Sequence, residues 1–155
     1  MNVPKLILIL VACFFIGCKH SPNFDKQVWI DNPDVGDTSN PRAWMVEDVM
    51  KNHLKPGMSR KAVLDLLGKP YQEGIENRLP KGTKFPDSIS FENEENLKPE
   101  NSDKATDAIN KFQKMYAKPV MLIRYPVGWS TIDPNFLIIK LNKKQLVEEF
   151  WVEQS

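Results

Sequence analysis

The sequence predicts an α+β domain: two short N-terminal helices packed on a three-stranded antiparallel sheet, with an inserted polar loop and a third helix. Three observations carry this expectation. Apolar residues recur at steps of three and four over about 41–54, 59–67 and 103–117, the period of a helix with one buried face. Met121, Ile123 and Tyr125 alternate with their neighbours, as do Leu137, Ile139 and Leu141, the period of strands with one covered face. Residues 142–145, Asn-Lys-Lys-Gln, form a hairpin-length connection between the last two strand candidates.

Before the domain lies a targeting segment. Lys5 supplies a positive charge, and residues 6–17 follow as twelve residues without a charged or strongly polar side chain. Such a run rises about 18 Å as a helix, short of the roughly 30 Å hydrocarbon core of a bilayer, so cleavage is expected rather than spanning. An Ala-x-Ala site is missing. Phe15-Ile16-Gly17-Cys18 stands in its place and resembles the lipobox of bacterial lipoproteins, where the cysteine is acylated and becomes the first residue of the mature chain. Cys18 is therefore the expected lipid attachment site and 1–17 the signal peptide. The alternatives are an ordinary secreted protein and an uncleaved signal anchor.

Residues 18–40 contain Pro22, Pro33, Gly36 and several Asn and Asp, with isolated apolar residues at Phe24, Val28, Trp29 and Ile30. This composition predicts a lipid-anchored flexible tether, on the order of 70 Å long when extended. Asp31, Asp34 and Asp37 do not have the alternating spacing of an EF-hand, so no metal is assigned.

The single domain is expected over 41–155, with an insertion at about 76–118. Asn40 caps a first helix that has Pro41 at its first position, and Pro56-Gly57 breaks it near residue 54. His53 reads as a hydrogen-bonded residue at the edge of that helix. Ser59 caps a second helix, Met58 and Val63 form a hydrophobic staple, Gly68 supplies the left-handed C-terminal cap, and Pro70 prevents continuation. Arg60 and Lys61 occupy its first turn, where the helix dipole disfavours cations. They either point into water at small cost or form an anion site with the helix amides. Residues 76–99 are polar and acidic and read as a solvated loop; Ser102 then caps a third helix ending before Pro119. The strand candidates are 120–125, 136–141 and 146–152. Between the first two lies a turn-rich loop, 126–134, carrying Trp129. That tryptophan either folds back on the core or contributes to an interface.

Composition narrows the functional classes. The 155 residues carry 21 Lys plus Arg against 20 Asp plus Glu, which supplies no global field for nucleic acid. Two Cys and two His exclude a disulfide scaffold and an ordinary Cys/His zinc site. Cleavage before Cys18 removes Lys5 and Cys13, leaving a mature chain of zero net charge without a free thiol nucleophile. Gly-x-Ser-x-Gly, Ser-x-x-Lys, His-Glu-x-x-His and a phosphate-cradling glycine loop are all missing, so a non-catalytic protein without a cofactor is expected; the alternative is a carboxylate-based hydrolase, whose Glu and Asp pairs have no sequence signature of their own.

Leu54, Gly57-Met58, Val63, Leu67-Gly68 and Pro70 resemble the opening of the BamE-like (SmpA/OmlA) outer-membrane lipoprotein domain, and the terminal hairpin fits its pattern. The resemblance covers about 42–75 and 119–153 and implies two helices on a three-stranded sheet, similar to each half of the beta-lactamase inhibitor protein. It implies a non-catalytic accessory scaffold in envelope protein assembly, anchored in the outer membrane and facing the periplasm. Barrel-assembly proteins and anionic lipid would be its partners, with Arg60, Lys61 and Trp129 as candidate binding residues. The alternative is an anchored or secreted protein-binding or inhibitor module of the same fold.

Overall fold

In the computed structural model, which describes residues 23–90 and 92–154, short helices precede and interrupt one antiparallel sheet. The elements are α1 (Lys26–Asp31), α2 (Arg42–Asp48), a π-helical turn (Val49–His53), α3 (Arg60–Leu67), β1 (Gln72–Arg78), α4 (Glu94–Leu97), α5 (Pro99–Tyr116), β2 (Lys118–Trp129), β3 (Pro134–Leu141) and β4 (Val147–Gln154). The chain is thus α+β, but its sheet has four strands, in the order β1-β2-β3-β4, with every neighbour antiparallel. The expected signal peptide, 1–17, and the expected lipid attachment site, Cys18, lie outside the described residues.

The inner face is the one the alternation predicts. Ile123, Tyr125, Val127, Leu137, Ile139 and Leu141 bury against Met45, Val49, Val63 and Leu67 from the helices. The opposite face is also partly covered, by a smaller cluster of Leu122, Phe136 and Ile138 with Val35, Val120 and Trp151 packed on it.

The tether expectation is corrected over 24–40. Asp25 caps α1, its Oδ1 accepting from the amides of Gln27 at 2.9 Å and Val28 at 3.0 Å. That turn delivers Trp29 to the core, where it is 0 % exposed between Phe24 and Tyr125. Asn40 is buried too. Its Nδ2 donates to the carbonyls of Asn32 and Asp34, and its Oδ1 accepts from the Arg42 amide at 3.0 Å, which holds the 32–40 loop against the start of α2. This segment belongs to the domain.

Further boundaries are corrected. β1 lies within stretches read as connection and solvated loop; it is a polar edge strand, Gln-Glu-Gly-Ile-Glu-Asn-Arg, without apolar alternation. The first helix runs to His53, close to the expected end near 54, but its last stretch is a π turn closed by Leu54 N donating to Val49 O. α5 starts at Pro99, so Ser102 sits inside its first turn and donates to the Pro99 carbonyl instead of capping. Gly68 ends α3 with a φ of 75°, but its ψ of −160° lies outside the left-handed helical well.

The predicted 126–134 loop is mostly strand, because β2 continues to Trp129 through a bulge between Pro126 and Trp129. Gly128 has a φ of +93° there, and a Cβ at this position would meet Ala43 Cβ at 2.8 Å. Gly128→Ala is expected to lower stability by about 1–3 kcal/mol, read as an earlier urea midpoint. An unchanged midpoint would contradict this account of the bulge.

Candidate functional site

The cations singled out in the sequence are already partnered. Arg60 reaches from α3 to β1 and grips Glu73 through Nε to Oε1 at 2.5 Å and Nη2 to Oε2 at 2.7 Å. This bidentate pair holds the Glu73 carboxyl below its ordinary range and offsets the dipole conflict at Arg60. Lys61 pairs with Asp65 one turn along the helix, both side chains well exposed. The amides an anion would need are also engaged: Arg60 N donates to Gln145 O, and Ala62 N to Ser59 Oγ. Trp129 acts as a packing residue whose indole Nε1 donates to Val35 O at 2.6 Å. The structure does not bring Arg60, Lys61 and Trp129 together as one site. His53 is the edge residue expected, with Nε2 3.2 Å from Asp48 Oδ2 and its ring beside Phe24.

The sheet's outer face carries a charge network that periodicity does not reveal. Glu76 accepts from Arg124 Nε at 2.9 Å and Nη2 at 2.7 Å, while Arg78 bridges Glu76 to Glu153. The Arg124 hydrogen bonds hold the Glu76 carboxyl below its usual value of 4.5. A carboxyl lowered on folding contributes stability above its unfolded pKa, and that contribution is lost as pH falls through the folded value. Glu76→Gln is therefore expected to cost about 1–2 kcal/mol at pH 7 after allowing for partial exposure. The gap to the native chain should shrink in denaturant titrations at about pH 3. An equal gap at both pH values would contradict the pairing.

Beside this network, β2, β3 and the β3–β4 turn frame two adjoining cavities of about 590 and 480 Å³ that share Lys118, Val120 and Lys140. Arg78, Lys81, Lys118, Lys140 and Lys143 line them, against Glu148 and Glu149. Lys140 pairs with both glutamates and Lys81 approaches Glu149, whereas Lys118 and Lys143 pair with no described carboxylate. Trp151 forms part of the wall. A cationic rim next to an amphipathic aromatic is suited to binding an acidic surface. Sequence reasoning missed it because β2–β3 pairing creates the juxtaposition; the Lys143-Lys144 pair is its visible trace.

Among the described residues, no group of three or more His, Cys, Asp or Glu is placed to hold a metal ion, and no helix is long and apolar enough to cross a membrane. Comparison with known proteins finds no matching family model, no matching curated protein and no matching solved structure.

Proposed function

We propose that this protein is a non-catalytic lipoprotein of the bacterial envelope, held by acyl chains on Cys18 in the outer membrane and facing the periplasm. In this reading it is an accessory scaffold in envelope protein assembly. The single observation carrying the reading is Phe15-Ile16-Gly17-Cys18 at the end of a charged-then-apolar leader. The resemblance to the BamE-like domain around Gly57-Met58 and Leu67-Gly68-x-Pro70 supports the assembly role. The carboxyls of Glu73 and Glu76, each held low by an arginine, suit structural pairing better than acid/base chemistry.

The fold changes how such an anchor would work. Phe24 is fixed to the domain by its amide, which donates to Asp48 Oδ2 at 2.8 Å, and by its ring against Trp29. Residues 19–23 alone then separate Cys18 from the folded unit, a reach of about 20 Å instead of 70 Å. The domain would ride close to the bilayer on its Phe24 side. The exposed cations Lys118 and Lys143 are left to meet an acidic partner.

Photo-crosslinkers at 118 and 143 in the membrane-bound protein test this role. Barrel-assembly or other envelope proteins should be captured, and Lys143→Glu should reduce capture from position 118 at least fivefold. Capture of a single soluble hydrolase instead would overturn the scaffold and favour the inhibitor module.

A further inference from the structure

Arg42, at the first position of α2, is 1 % exposed, yet no described carboxylate pairs with it. Its Nε donates to Trp29 O at 2.7 Å and its Nη1 approaches Pro126 O at 3.5 Å. The guanidinium lies 4.9 Å from the Trp29 ring centroid and 6.0 Å from that of Tyr125. These contacts join α1, α2 and β2 and offset part of the charge, but they bring no carboxylate to it. Burial pushes the Arg42 pKa down to about 10, and the neighbouring Tyr125 is kept a neutral phenol by its own burial. A guanidinium has five N–H donors, and two hydrogen bonds leave three without an acceptor among the described residues.

Arg42 is one of the residues that line a cavity of about 390 Å³. Lys69, exposed and paired with no described carboxylate, is the second cation there; Ile30, Pro33, Leu67 and Tyr71 supply apolar wall. A buried guanidinium is ordinarily paired, because an isolated charge in a low dielectric is costly. Here no described residue supplies the counter-charge, and the cavity provides room for one.

We propose that this cavity is a binding site for a carboxylate on an apolar body, with Arg42 and Lys69 as its cationic contacts. Arg42 Nε is committed to the Trp29 carbonyl and Nη1 to that of Pro126, so the donors left for a carboxylate are those remaining on the two Nη atoms. The apolar wall accepts an aliphatic or aromatic body, which a carboxylic acid or a chain terminus carries and inorganic phosphate lacks. The carboxylate could belong to a free organic acid or to the C-terminus of a peptide ending in an apolar residue.

The mature chain is titrated with 3-phenylpropionate while the Arg42 Nε–H and Trp29 indole N–H resonances are followed by NMR. Saturable shifts with a Kd below about 1 mM are expected. The neutral amide 3-phenylpropanamide should bind at least tenfold more weakly, and Lys69→Glu, a surface change that spares the core, should weaken the acid at least tenfold. An acetylated dipeptide ending in a free Phe carboxylate would assign the site to chain termini if it binds more tightly than the small acid, and to free acids if more weakly. No saturation by about 20 mM acid, equal binding of the amide, tighter binding of inorganic phosphate, or an unaffected Lys69→Glu variant would each overturn the proposal.

Discussion

A chain beginning at Pro41 is expected not to fold. Cutting there removes Trp29, the largest fully buried side chain, together with the buried Asn40. It takes from Tyr125 the indole packed beside it and deprives Arg42 of the carbonyl its Nε bonds. Replacing one such buried aromatic typically costs about 3–5 kcal/mol, against a whole-domain stability of about 5–15 kcal/mol. Trp29→Ala alone should therefore move the urea midpoint by a large fraction of its native value, and the truncated chain should lose near-ultraviolet circular dichroism. A truncated chain with native spectra and a midpoint equivalent to within about 1 kcal/mol would show that 24–40 is a tether after all.

Cys18→Ala is expected to move the protein completely from the membrane to the soluble fraction. Two or three acyl chains on one residue, each buried CH2 contributing about 0.8 kcal/mol, hold a protein essentially permanently, and no described helix replaces them. The substitution should leave the urea midpoint unchanged, because Phe24 and Trp29 still dock. In the native protein, a spin label at Asn52, next to His53 and thus near Phe24, should broaden lipid headgroup signals on the short leash. A Cys18→Ala protein that stays with the membrane would remove the acyl anchor from the account.

Periodicity made the long-range frame legible: α3 lies where Ser59 and Gly68 delimit it, and the inner-face residues of β2 and β3 alternate as expected. Elements built on few apolar residues escaped it. α1 is six residues long and buries one side chain, so Trp29 reads as an isolated hydrophobe among Asp, Asn and Pro. β1 is an edge strand whose largest apolar residue, Ile75, is 74 % exposed; its place is set by pairing with β2 and by Arg60 and Arg124 gripping its glutamates.

The same limit governs the sites. Arg60 was visible as a cation at the wrong end of a helix, and the partner that explains it, Glu73, is thirteen residues away across a strand. Arg42 looks like any polar residue at a helix start; Trp29 and Tyr125 make it a buried charge, and neither is near it in sequence. Local rules identify a residue out of place, while the compensating group is supplied by topology.

The anchored, closely held domain is tested most directly by the intact mass of the protein extracted from membranes, beside a Cys18→Ala variant. The account predicts a mature chain beginning at Cys18 and carrying acyl chains, absent from the variant. An unmodified soluble chain would contradict it and move the secreted binding module into first place.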